Sequence, residues 1–433
     1  MARPRRRART EPVACGVVAG WFEQARFGLF VHWDHASAQG LELSWPMVGG
    51  LFALPKCQSV SVAEYERSAS TFDPTAFDPR ALAALARRAG MRYAVFTAKH
   101  HAGYAMYPTR LSDHSVASAP CRRDLVREWV DAVRAEGLRV GLYFSLSDWH
   151  HPDYPAFTDD DRPYLPGVSP PLPAPHQRDR YLAFLRGQLH ELLTGYGTVD
   201  VLWFDGGWER PAAWWDANRL ESLVRQLQPE IVINDRLPGV GDFATPEQFV
   251  PPDPPAGPWE TCLTMNDSWG YVPTDTGYKS ARELVHTLCE VAARGGNLLL
   301  NVSPTGTGAL PAEQRDRLEA VAGWMATHSE SILDTEPGLE PWQFYGPSTR
   351  RGTRVYLHLL LRPYEQVTVR GVPVKRVEQV TAVGHDGPLA HRARTAVLDR
   401  LNADPLGELV VTVPEDRLDP LATVLAVDFT RRP

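Results

Sequence analysis

Val199-Asp-Val-Leu-Trp-Phe-Asp205-Gly-Gly-Trp208 is an apolar run that ends in a carboxylate and two glycines. A run so nearly continuous in apolar residues is expected of a strand buried on both faces, as in a parallel sheet covered by helices. At the carboxyl end of a barrel strand, Asp205 faces the mouth, and the glycines allow a sharp turn beside a substrate. Read by itself, the same Asp205 also fits a cap on the following turn.

The pattern around this stretch repeats it. Apolar runs at Phe27–Trp33, Met91–Ala98, Leu138–Ser145, Glu230–Asp235, Pro258–Met265 and Gly296–Val302 read as further strands. Between them, Pro79–Ala89, Asp124–Glu136, Gln177–Leu193, Arg219–Leu227 and Ala281–Ala293 carry apolar residues at helical spacing, and Leu310–Met325 adds a helix after the last run. Strands alternating with helices predict an α/β fold, a (β/α)8-like, TIM-type barrel with seven of its strands visible. After a linker at Asp334–Leu339 the helices stop. Val355–Leu361, Gln366–Arg370, Arg376–Val383 and Glu408–Val413 then predict a small antiparallel β-sandwich. The expected division is an N-terminal arm over 1–20, disordered; a catalytic barrel over 21–335; and a C-terminal sandwich over 336–433. Pro163–Pro175 and Val250–Pro258 read as proline-rich loops that edge the site.

Composition narrows the function. The 433 residues are 43% hydrophobic and 22% charged, the balance of a globular protein, and no apolar run is long enough for a membrane span. A formal net charge of -7 gives no general attraction to nucleic acid, since the one basic run, Arg3 to Arg9, lies in the terminal arm. That arm lacks the apolar segment of a signal peptide, so the reading is a leaderless, cytoplasmic chain. The 5 cysteines are scattered without a C-x-x-C pair, which favours free thiols over a zinc site or disulfides. Oligomer formation is left open.

Polar residues gather after the strand candidates. Glycoside hydrolysis needs a second carboxylate to protonate the leaving oxygen, and both Glu247, in Thr-Pro-Glu-Gln, and Glu260, in Trp-Glu-Thr-Cys, are candidates. A glutamate in an apolar setting has the raised pKa that suits a general acid. His32, His35, His100 and His101 end two strands and read as metal ligands, donors to substrate hydroxyls or surface imidazoles. The metal reading lacks an acidic partner at i+2 or i+4. Arg236, in Asn-Asp-Arg, could hold a carboxylate ionised or form a structural ion pair.

Taken together, R-F-G-L-F-V-H-W, F-T-A-K-H-H-A-G-Y, R-D-L-V, Y-F-S-L-S-D-W, L-W-F-D-G-G, I-N-D-R, W-E-T-C-L-T-M-N-D-S-W-G-Y and G-G-N-L-L-L-N-V-S-P-T-G-T-G resemble the α-L-fucosidases of glycoside hydrolase family 29, in the family's order, from residue 21 to about 330. The resemblance implies a retaining, exo-acting hydrolase of fucosylated oligosaccharides or glycoconjugates, with no metal and no organic cofactor. It implies Asp205 as nucleophile, Glu247 or Glu260 as acid/base with Glu247 slightly favoured, and substrate contacts from His32, Trp45, His100, His101, Tyr143, Trp203, Arg236 and Trp269. Two departures bear on the sugar accepted. Ser44-Trp45-Pro46 stands where many relatives have Glu-Trp-Tyr, so that Glu42 is the substitute carboxylate, and Ala102 and Tyr104 replace Asp and Phe on the expected pocket floor. These departures keep a second reading in view, a fucose-like sugar-binding protein with a decayed site. A third is a metal-dependent barrel hydrolase using the four histidines.

Overall fold

The computed structural model describes residues 20–49, 59–154, 158–162 and 172–433. The expected N-terminal arm up to residue 19, Cys15, Cys57 and most of the Pro163–Pro175 loop lie outside the described residues. Seven parallel strands form one curled sheet: β1 (Phe27–Val31), β2 (Tyr93–Lys99), β3 (Arg139–Ser145), β4 (Val201–Asp205), β5 (Val232–Ile233), β6 (Glu260–Leu263) and β7 (Asn297–Val302). Their order is β5-β4-β3-β2-β1-β7-β6. All seven expected runs contain a strand, several of them shorter than the apolar run.

The sheet is not a closed eight-stranded barrel, which corrects the sequence expectation. Its ends, β5 and β6, are joined instead by the irregular segment 242–248. Single parallel bridges link Asn234 to Phe243, Ala244 to Trp259 and Glu247 to Cys262. Backbone bonds from Asp235 N to Phe243 O (3.0 Å), Glu260 N to Ala244 O (2.9 Å) and Gln248 N to Cys262 O (2.9 Å) hold this seam. A regular strand cannot form there because Pro246 has no N–H to give to a ladder and Gln248 sits at a φ of 63°.

Nine helices among the described residues surround the sheet or connect its strands: α1 (Gly20–Ala25), α2 (Val62–Glu66), α3 (Pro79–Arg88), α4 (Leu125–Ala135), α5 (Pro175–Gly195), α6 (Ala212–Trp215), α7 (Ala217–Leu227), α8 (Ala281–Ala293) and α9 (Ala312–His328). Local sequence starts them. The Asp78 and Asp124 side chains accept from Ala81 N (3.0 Å) and Arg127 N (2.9 Å) at the heads of α3 and α4, and Ser280 with Glu283 forms a capping box on α8. Four-residue spacing does the rest. Leu125, Trp129 and Val133 form one buried face of α4, and each such side chain contributes about 1.5–3 kcal/mol through burial. Inside the curl, Phe30, Tyr143, Val201, Trp203, Phe243 and Leu299 form a second apolar layer, with Phe22 of α1 against Phe243 below. Among the described residues no helix is long and apolar enough to cross a membrane, and Cys121, Cys262 and Cys289 are free thiols.

Beyond α9 the chain forms two antiparallel sheets. One runs in the order β12-β15-β10-β9-β8 and the other in the order β11-β14-β13. The strands are β8 (Glu336–Pro337), β9 (Ser348–Arg351), β10 (Arg354–Leu359), β11 (Gln366–Pro373), β12 (Val377–Ala382), β13 (His391–Arg394), β14 (Leu406–Thr412) and β15 (Thr423–Phe429). Val355, Leu357, Val369, Val411, Leu425 and Val427 fill the core between them. The expected linker Asp334–Leu339 contains β8, which pairs with β9 through Glu336 and Arg350.

Candidate active site

A cavity of about 590 Å³ opens among the carboxyl ends of the parallel strands. Asp205, the last residue of β4, is one of its walls. Tyr143 donates from its hydroxyl to Asp205 Oδ2 (2.8 Å), and Arg236 Nη1 lies 3.3 Å from Oδ1. His101 Nε2 approaches Oδ2 at 3.7 Å. Burial pushes the Asp205 carboxyl above the ordinary range; the Arg236 charge and the Tyr143 hydrogen bond pull it back. The side chain therefore faces the cavity and caps no helix.

The two glycines after it serve the backbone. Gly206 turns at a φ of 73°, and a Cβ on Gly207 would stand 2.2 Å from the carbonyl oxygen of Arg236. Side chains at these positions would separate the β4 and β5 loops, and with them Asp205 from Arg236. The space expected for substrate at these glycines is filled by protein.

Arg236 links the two candidate carboxylates. Its Nη1 contacts Asp205 while its Nη2 donates to Glu247 Oε2 at 2.7 Å. Nε donates to Thr245 Oγ1 (2.9 Å), and the guanidinium lies 5.0 Å from the centre of the Trp203 ring. The side chain of Glu247 is 39% exposed and that of Asp205 13%, so one carboxylate meets water where the other is enclosed.

Glu260 is elsewhere. Residues two apart on a strand share a face, so Glu260 and Cys262 point inward from β6, and Thr264 follows just beyond its end. Only Cys262 and Thr264 line the cavity. Glu260 stands at the amino end of β6, fully buried, where Trp203 Nε1 donates to Oε1 (2.9 Å) and the Tyr93 hydroxyl donates to Oε2. Burial pushes its pKa up to about 7. The raised pKa anticipated for a general acid thus belongs to the glutamate beneath Trp203, away from the cavity.

The histidines are held from behind. His32 Nδ1 bonds Asn301 Oδ1 (2.8 Å), while Asn301 Nδ2 donates to the Trp269 carbonyl (2.8 Å). The amide oxygen therefore accepts from Nδ1–H, and Nε2 is left as an acceptor. His100 Nδ1 meets Ser44 Oγ at 2.7 Å, and His101 Nδ1 meets Ser145 Oγ at 2.6 Å. Burial lowers the pKa of His32 and His101 to about 3 and that of His100 well below its usual value. All three are neutral near pH 7. Tyr143 stacks on His100 (5.5 Å between ring centres, 10°) and on Trp203 (5.7 Å, 20°), and Trp45 packs edge-on to His101.

Both sequence departures lie behind the wall. Ser44 accepts from Ala102 N (2.8 Å) as it contacts His100. Glu42 is fully buried and accepts from Trp269 N (2.5 Å) and Gly270 N (2.7 Å). It anchors the Trp269 loop and is absent from the cavity lining, as are Ala102 and Tyr104, which do not form the pocket floor. The cavity also takes in Phe30, Trp208, Gln248, Asn266, Asp267 and Lys279; Asn266 and Asp267 belong to the N-D-S-W-G-Y motif, while Phe30, Gln248 and Lys279 were not anticipated as substrate contacts. Trp208 was visible in the motif itself, stacked here nearly parallel to Trp45 (6.5 Å, 11°). Gln248 and Lys279 carry no local signal.

A sequence model of the family described as alpha-L-fucosidase matches residues 4–330. The chain is 29% identical to mouse tissue alpha-L-fucosidase over 94% of its length and 90% of that protein. Among solved structures, alpha-L-fucosidase isoenzyme 1 from Paenibacillus thiaminolyticus superposes with a TM-score of 0.82 at 34% identity, covering 94% of this chain and 98% of the other. An alpha-L-fucosidase from Bacteroides thetaiotaomicron, captured as a trapped covalent intermediate with 2-fluoro-fucosyl fluoride in a Glu-to-Gln mutant, superposes with a TM-score of 0.78 at 25% identity over 94% of both chains.

Proposed function

Because this chain belongs to the α-L-fucosidase family, we propose that it releases α-L-fucose from fucosylated oligosaccharides or glycoconjugates with Asp205 as nucleophile and Glu247 as acid/base. The enzyme is an α-L-fucosidase that acts with retention. The observation that carries the residue assignment is the guanidinium of Arg236, which reaches both carboxylates at the edge of one cavity. The shared guanidinium places both carboxylates on one wall, where a pair acting on a single glycosidic bond must stand.

In the first step an Asp205 oxygen attacks the anomeric carbon as the glycosidic C–O bond breaks, and the departing oxygen takes the proton of Glu247. In the second, Glu247 takes a proton from water, whose oxygen attacks the same carbon and returns Asp205 to its carboxylate. Arg236 and Tyr143 favour the ionised form that this attack requires, against the burial that opposes it. Exposure lets Glu247 exchange its proton with solvent. Position takes precedence over pKa in choosing an acid/base, which is why Glu247 is preferred to Glu260. His32, Trp45, His100, Trp203 and Trp269, all in the cavity lining, hold the sugar in this reading; His101, outside that lining, contacts Asp205.

The test is the anomer first formed. Proton NMR of an aryl α-L-fucoside digest should show α-L-fucose before mutarotation, with no turnover by Asp205→Ala. First release of the β-anomer, or an active Asp205→Ala enzyme, overturns the assignment.

A further inference from the structure

A second polar cluster lies outside the sugar cavity, behind the wall that carries Ser44 and His100. His35 follows β1, Glu66 ends α2, and His114 lies in the long connection after β2. Ligand atoms of these three residues all fall within 4.8 Å of one another. His35 is fully buried and His114 is 9% exposed.

The surrounding hydrogen bonds orient both rings. Ser68 Oγ lies 2.8 Å from His35 Nδ1 and accepts from Gln39 Nε2 (2.9 Å). In the tautomer with the proton on Nδ1, His35 Nε2 presents its lone pair inward. His114 bonds the backbone of Ala102, which leaves its Nε2 facing Glu66 Oε2 at 3.4 Å. Neither Nε2 has a hydrogen-bond partner among the described residues, although both are buried. Two lone pairs and a carboxylate oxygen thus converge with no donor between them, an arrangement that is repulsive unless a cation stands at its centre.

We propose that His35, Glu66 and His114 form a structural site for a divalent transition-metal ion, zinc being the best match. Two imidazoles and one carboxylate suit zinc and its first-row neighbours and do not suit magnesium or calcium, which prefer all-oxygen shells. Ser68 and the Ala102 backbone fix the ligand rings from outside, as such sites require. Ligand bonds of about 2.0–2.1 Å draw the three donors together by roughly an ångström. Water or His150 completes the shell: the His150 ring stacks on His114 (3.8 Å, 7°), and its Nδ1 is 3.3 Å from Glu66 Oε1. The ion ties the β1 loop, α2 and the β2 connection into one wall. It takes no part in the hydrolysis, so this site stands or falls apart from the fucosidase assignment.

The full chain, stripped with a chelator and dialysed, is titrated with zinc chloride by calorimetry, and metal content is measured after desalting. One zinc per chain is expected, with a melting temperature that rises with zinc concentration and does not respond to magnesium. Cobalt(II) should give the intense visible absorption of a tetrahedral centre. His35→Gln with His114→Gln should abolish uptake and the thermal shift. Should that variant fail to fold, Glu66→Gln, whose side chain is partly exposed, should weaken zinc binding at least tenfold. Failure of the wild-type chain to take up stoichiometric zinc, or uptake unaltered in these variants, overturns the proposal.

Discussion

Trp203 donates its indole N–H to Glu260 at 2.9 Å, so the carboxylate holds this wall of the cavity from below and does not look into it. Glu247, on the seam between β5 and β6, does. Removing each of the three carboxylates therefore has a different chemical consequence.

Asp205→Gly should lose turnover, and azide should then yield the inverted β-L-fucosyl azide from an activated α-fucoside. Glu247→Ala should lose about 10²–10⁴-fold on poor leaving groups, with azide restoring turnover as the α-L-fucosyl azide. The product anomer, read by NMR, separates the roles. An α-azide from a Glu260→Ala enzyme, and none from Glu247→Ala, would reverse the choice of acid/base.

The pH profile tests the bridge. Burial raises the Asp205 pKa and Arg236 opposes it, so Arg236→Met should raise it further. The acidic limb of kcat/KM then moves to higher pH, and the variant loses more activity at pH 5 than at pH 8. A limb that stays in place shows that Arg236 does not act on the nucleophile's ionisation.

Stability should carry the signature of Glu260. Its folded pKa of about 7 stands above its ordinary 4.5, so its favourable contribution is complete below about pH 4.5 and is lost as pH rises through 7. The full effect is on the order of 3 kcal/mol. Glu260→Gln, a neutral isostere that can still accept from Trp203, should gain melting temperature relative to wild type between pH 5 and pH 8. It should also keep activity within a few-fold. Parallel melting curves across that range would show that burial does not strain this carboxylate.

Ser44→Ala tests the departure from the Glu-Trp-Tyr pattern. Losing the hydroxyl strands His100 Nδ1 and Ala102 N, at a cost of about 1–3 kcal/mol. KM for an aryl fucoside should rise about tenfold with a smaller change in kcat. Unaltered kinetics would mean that His100 needs no support from Ser44.

Much of this was legible because both the strand runs and the family motifs are local. Asp205 could be placed at a strand end by the apolar residues before it and the glycines after it. What was missed depends on the third dimension. Strand parity allowed Glu260 to face inward, but depth along β6 decided which layer it reached. Ser44 read as a lost carboxylate and proved to be a support for His100, while Glu42 read as its substitute and proved to anchor the Trp269 loop. The eighth strand was expected from symmetry, and Pro246 with the left-handed Gln248 replaced it by single bridges. Among the sandwich strands, β13 carries no apolar alternation because all four residues are exposed, and β15 carries none because nearly all are buried.

The irregular seam also divides the enzyme into parts with unequal freedom to change. Asp205, the histidine clusters and Trp203 are indexed to strands, where a one-residue insertion would turn every following side chain to the wrong face. Glu247, the proposed proton donor, is mounted on the stave with no ladder to keep in register. A library of insertions and deletions over residues 242–248 is therefore the place to move Glu247, and with it the leaving groups of the proposed mechanism, while Asp205 and its strand-borne neighbours stay as they are.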